Sequence, residues 1–232
     1  MIEPDSNSIE LELPGESSAE LQELLKYFQD SMNTPLLLDS NYIQEKAGQE
    51  ETKLSFEQLK QLTLEGFANS IAQENEYLIK AAIRIDSLKL INEYEAYVEK
   101  IDIGMIQEAS SFGNGLLELT PNRKLLIWQI NYKTYEACPF AEGSIVFGTL
   151  LENTEIGGTI QLAEKSSGGD PPAWNETFVH AEINENEIEQ HKYQLFGEMN
   201  EDGENFIETT ESNYRILIDS TGIVERELDL AP

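Results

Sequence analysis

Apolar residues recur at three- and four-residue spacing across residues 17–112, then alternate and are cut by Gly, Pro and Asn/Asp turns beyond Gly113. The first spacing is that of a helix face and the second that of a half-buried strand. Leu21, Leu24, Leu25 and Phe28 form the first stripe, opening at Ser17 or Ser18, with Glu20 placed to reach back to the helix start. Thr34-Pro35 offers a cap and first-turn pair for a second, short helix. Ser55 precedes a long periodic run. In it Leu59, Leu62, Phe67 and Ile71 line one face, then Leu78, Ala81, Ala82, Ile85 and Leu88, then Leu90, Ile91, Tyr94, Tyr97 and Val98. Breaks near 73–75 and 102–104 divide the run into two or three helices. Stripes of this kind predict a packed helical bundle.

Strands are expected over 125–132, 144–151, 159–163, 177–183, 193–199, 206–210, 214–219 and 223–228. Connections of about four to ten residues suit antiparallel neighbours, because a parallel crossover needs about a dozen. The expected fold class is α+β: an N-terminal helical bundle segment followed by a C-terminal antiparallel β-meander of about eight strands, closing as a barrel or a sandwich. The expected division is a flexible tail over 1–16, a helical region over 17–112 and an antiparallel β domain over 113–232.

Three turns test this reading. Setting Ile183 opposite His191 pairs Phe178 with Phe196 and Glu182 with Lys192, an aromatic and an opposite-charge pair of the kind strands prefer. In that register His180 and His191, the only histidines in the chain, lie on opposite faces and cannot share a metal; 184–190 becomes an acidic loop. Asp202-Gly203 reads as a tight hairpin turn. As a calcium loop, 198–209 fails at its twelfth position, which is Thr209 where a bidentate Glu belongs. Ser220-Thr221-Gly222 makes a three-residue loop with Gly222 in a left-handed conformation. The segment 166–174, SSGGDPPAW, reads as a surface loop that Trp174 anchors or presents to a ligand.

Charge changes the picture more than any motif. The chain carries 44 acidic and 15 basic side chains among 232 residues, a formal net charge of −29, and 35 of the acids are Glu. Such a field disfavours direct contact with nucleic acid or an anionic membrane and favours a basic protein partner. The 122–133 window is net basic at +3, and its Arg123, Lys124 and Lys133 are expected to pair with the acidic helices. A lone cysteine, Cys138, points to a reducing compartment. With no basic-then-apolar leader at the start and no long apolar run, a soluble cytoplasmic protein is expected.

No nucleophile elbow, phosphate loop or metal-ligand spacing is present in the sequence, so no catalytic, cofactor-binding or metal residue is expected. The reading that follows is a non-enzymatic acidic binding or inhibitor module, immunity-protein-like or nucleic-acid-mimicking, that captures a basic partner by electrostatic steering. The residues expected to meet that partner are Trp174, Glu182, Glu185, Glu187, Glu189, Glu198, Glu201, Asp202 and Glu204. The alternatives are a structural or assembly subunit, or else a barrel enzyme or ligand carrier that uses carboxylates.

Overall fold

A computed structural model describes residues 19–46, 50–88, 106–134, 140–199, 205–219 and 222–228. The expected meander is present, but it extends well outside the expected bounds. Eight strands run in sequence order: β4 (Ile106–Thr120), β5 (Arg123–Thr134), β6 (Phe140–Glu152), β7 (Glu155–Asp170), β8 (Ala173–Asn184), β9 (Glu187–Met199), β10 (Asn205–Asp219) and β11 (Gly222–Leu228). Each pairs antiparallel with the next. Two expected strands, 206–210 and 214–219, are one continuous β10. The first strand of the series, β4, occupies a stretch whose apolar spacing had read as the end of a helix.

Among the described residues there is no N-terminal helical bundle, which overturns the α+β reading: they are mostly β, built on one mixed sheet of eleven strands. The helices are short and scattered: α1 (Ala19–Leu25), α2 (Ser40–Lys46), α3 (Phe56–Leu62), α4 (Ser70–Glu74) and α5 (Glu76–Leu88). Between them lie three strands of two or three residues. β1 (Ser31–Met32) pairs parallel with β4, β3 (Lys53–Leu54) pairs antiparallel with β4, and β2 (Leu36–Leu38) pairs antiparallel with β8. The helical stripes are real, but what they cover is a sheet. Leu21, Leu24, Phe28, Leu59, Leu62, Ala72, Leu78 and Ile79 pack with Leu116, Leu126, Trp128, Ile130, Ile145 and Phe147. A stripe in sequence reports that a helix buries one face, without saying whether a helix or a sheet receives it. The stripe from Leu90 to Val98 lies outside the described residues.

Strand β5 is apolar on both faces because both are covered. Leu126, Trp128 and Ile130 face the helices, while Leu125 and Ile127 join a second core with Leu38, Ile43, Ile160, Leu162, Ala181, Ile183, Ile188, Ile216 and Ile218. That second core forms because the sheet forks. β7 pairs with β8 only between Glu164↔Val179 and Asp170↔Ala173. Before Glu164, β7 keeps β6 alone, and past Val179, β8 takes β2 in its place. The freed edge of β7 is not left bare. The Ala68 amide donates to the Thr159 carbonyl at 2.8 Å, and the Gln161 amide donates to Asn69 Oδ1 at 3.0 Å. Gln190 Nε2 donates to the Gln161 carbonyl at 2.7 Å. Backbone groups buried at the fork are thus satisfied by the Ala68 backbone and by the side-chain amides of Asn69 and Gln190, groups that can both donate and accept.

Candidate protein-binding surface

The expected contact residues divide between the two ends of the β8–β9 hairpin. At one end Glu182, Glu185 and Glu189 are exposed around the turn. The turn itself is two residues, Glu185-Asn186, with Glu185 at φ 54°. The expected seven-residue loop does not form. Nor does the expected register: Ile183 lies opposite Ile188, His180 opposite His191 and Glu182 opposite Glu189. The shift follows from burial. Ile183 and Ile188 are both fully buried in the second core, and that placement outweighs the few tenths of a kcal/mol, up to about 1, that a cross-strand pair supplies. Lys192, expected opposite Glu182, instead reaches Glu74 of α4 at 2.6 Å. Arg215 on β10 binds Glu187 at 2.8 Å and Glu189 at 3.3 Å. Two of the four carboxylates at this end therefore already have an internal cation.

The other end lies the length of a twelve-residue strand away, about 40 Å at 3.3 Å per residue. Here Trp174 and Glu198 come close together, while Glu201, Asp202 and Glu204 lie outside the described residues. The expected loop at 166–174 is mostly strand; only Pro171-Pro172 turns the chain. Trp174 sits directly opposite Gly197, and a Cβ added at Gly197 would come within 2.2 Å of its ring. The glycine is what lets the indole lie flat across β9.

Around that indole the register gathers apolar side chains absent from the sequence expectation. Phe140, Gly169, Trp174, Gly197 and Ile207 follow one another across β6 to β10 on one face, with Met199 two residues on. On the opposite face Phe196 lies opposite Glu208, and Phe206 opposite Glu198. Phe206 is 61% exposed and Ile207 54%, and Phe140, Phe196 and Met199 are exposed as well. Half of the large exposed apolar side chains among the described residues thus lie at this one end. A signal for it exists in the sequence. Phe206-Ile207 and Leu195-Phe196 place neighbouring apolar residues in strands, and alternation sends one of each pair to either face.

Two further arrangements bear on chemistry. The two histidines, expected on opposite faces, are cross-strand neighbours with ring centroids 5.0 Å apart and planes tilted by 47°, and His191 Nε2 lies 3.4 Å from Glu211. Burial and then the neighbouring imidazole hold His180 below its usual range. Among the described residues no group of three or more His, Cys, Asp or Glu is placed to hold a metal ion. Cys138 lies outside them.

At the crotch of the fork sits Glu164. Its carboxylate accepts hydrogen bonds from Asn75 Nδ2 at 3.0 Å, Gln161 Nε2 at 2.7 Å and Ser166 Oγ at 2.5 Å. Burial pushes this carboxyl above the usual range, against the pull of the three donors and of Lys192. The same network lifts the hydroxyl of Tyr132, chiefly through burial and then through Glu164. An open cleft of about 430 Å³ lies nearby, lined by Tyr132, Glu142, Ser144, Lys165, Ser166 and Phe178 among others. Glu164 is not one of its lining residues, but Tyr132 and Ser166, the latter a donor to the Glu164 carboxylate, both are.

Among the described residues no helix is long and apolar enough to cross a membrane. Arg123 of the basic window pairs with Glu152 on β6, not with a helix as expected. Comparison with protein-family models, curated proteins and solved structures finds no significant match to this chain.

Proposed function

We propose that this chain is an acidic, non-enzymatic binding module of the cytoplasm that captures a basic protein, as an inhibitor or immunity protein does. The observation that carries the reading is the end of the meander where Phe140, Trp174, Phe196, Met199, Phe206 and Ile207 meet Glu198 and Glu208. Exposed aromatic anchors inside a charged surround are what a protein interface is made of: the anchors supply affinity and the charges supply steering and choice of partner. The long-range field is available for this. At least eight of the 15 basic side chains are already held in ion pairs within the chain, which leaves a large excess of carboxylates facing outward.

The test compares the intact chain with Phe206→Ser/Ile207→Ser, both bound to a support and exposed to native lysate at 50 mM salt. A specific basic protein is expected on the intact chain, released by 500 mM salt and reduced at least tenfold on the variant. Identical proteins on both surfaces would contradict the reading. Retention through 500 mM salt on the intact chain alone would favour a permanent assembly subunit.

A further inference from the structure

Strand β10 is paired on both sides over only half its length. β11 covers Asn213 to Asp219, and β9 covers Asn205 to Leu217. Over 205–212 the outer edge of β10 has no strand partner among the described residues, and every residue from Phe206 to Glu211 is exposed. An uncovered edge presents a row of unpaired amides and carbonyls, ready to receive another strand. Natural edges are usually short, bulged or blocked by Pro or Lys. This one is regular, carries no Pro or Lys, and holds Phe206 and Ile207.

We infer that this edge binds an extended segment of alternating basic and apolar residues by strand addition, continuing the row that β11 occupies. The inference rests on the binding reading above and names the form its partner takes. Alternation follows from the two faces. Phe206 and Glu208 lie on one face beside Phe196 and Glu198; Ile207 and Thr209 lie on the other beside Gly197 and Leu195. An added strand meets Glu198 and Glu208, beside Phe196 and Phe206, with one set of its side chains; with the other it meets Leu195, Ile207 and Thr209, with Glu211 at the far end of that row, while main-chain hydrogen bonds supply sequence-independent affinity. The same charges argue against a second copy as the occupant. Two such edges would bring Glu208 and Glu211 of each against the other, on chains that each carry a net charge of −29.

The probe is a ten-residue peptide of alternating Lys and Val, compared with one of alternating Lys and Pro. The second keeps the charge but lacks half of the amide donors and resists the strand geometry. Placing the disruption in the probe leaves the full chain intact. The Lys-Val peptide is expected to bind at least tenfold more tightly and to slow hydrogen exchange at alternate amides within 205–212. Equal binding of both peptides would overturn strand addition and leave charge-driven capture standing. Failure of both peptides to bind, or protection elsewhere, would also overturn it, while the lysate experiment decides the broader reading separately. Slowing at 205–212 that grows with protein concentration in the absence of peptide would assign the edge to a second copy, which equally overturns the inference.

Discussion

Glu164 is the one acidic side chain buried among the described residues, and its surroundings make two substitutions informative. Glu164→Ala leaves the donors on Gln161 and Ser166 facing a void, so a loss of about 2–4 kcal/mol is expected in urea unfolding. Glu164→Gln keeps an acceptor for Asn75 and Gln161, and the Ser166 hydroxyl can turn to accept, so its loss at neutral pH is expected to be much smaller. The two chains should also differ in their response to pH. A carboxyl raised by burial contributes stability that is complete below the ordinary value of 4.5 and is lost as pH rises through the raised one. The stability of the native chain relative to Glu164→Gln should therefore fall as pH climbs from 4.5, and parallel curves would contradict the assignment. Gly197 offers a second residue-scale check. Gly197→Ala drives a methyl into the Trp174 ring, whereas Trp128 is fully buried with its Nε1 donating to Thr149 at 2.9 Å. A red shift in emission confined to the half-buried Trp174 indole is expected, with little loss of stability.

At the scale of elements, local chemistry was easy to read and long-range choice was not. Ser55, which precedes the periodic run, caps α3: its hydroxyl accepts from the Gln58 amide, and the Gln58 side chain accepts from the Ser55 amide. Ser55→Ala should cost about 1 kcal/mol, measurable by thermal unfolding. The break at Asn75 and the strand character of 125–132 were equally plain, since a cap, a helix stop and a continuous apolar run are written within a few residues. β4 was missed because IQEASSFGNGLLELT has no clean alternation: its partners change at bulges near Ile106/Glu108, Gly113/Gly115 and Glu118/Thr120. The β8–β9 register was missed because the deciding contacts lie on α4, β10 and the second core, all remote in sequence. The candidate surface was half visible. Trp174 and Glu198 stood out by type, while Phe140, Phe196, Met199, Phe206 and Ile207 needed the register to bring them together. Turn chemistry gives a further expectation: Glu185 sits at φ 54°, where a side chain is strained, so Glu185→Gly should stabilise the hairpin by about 0.5–1 kcal/mol.

For the whole molecule, charge dominates. With 44 acidic against 15 basic groups, self-repulsion works against the compact state, and added salt screens it over about 10 Å at 0.1 M. Melting temperature should therefore rise by several degrees, roughly 3–8 °C, between 20 and 500 mM sodium chloride. A protein held together chiefly by its ion pairs would respond with the opposite sign. Surface pairs such as Lys26–Glu23 and Lys60–Glu57 are exposed and contribute little, so their screening should not reverse the trend.

The fork has a consequence for how the chain is made. Leu36 pairs with Ile183, and Ser31 with Leu116, so β1 and β2 pair with strands synthesised much later than themselves. At about 5–20 residues per second, β2 waits roughly 7–30 s for β8. During that wait Leu36 and Leu38 have no sheet to join, and a nascent chain halted before β8 would display them to chaperones. β2 therefore docks only once β8 has been made, while β9 to β11, which complete the second core, are still to come.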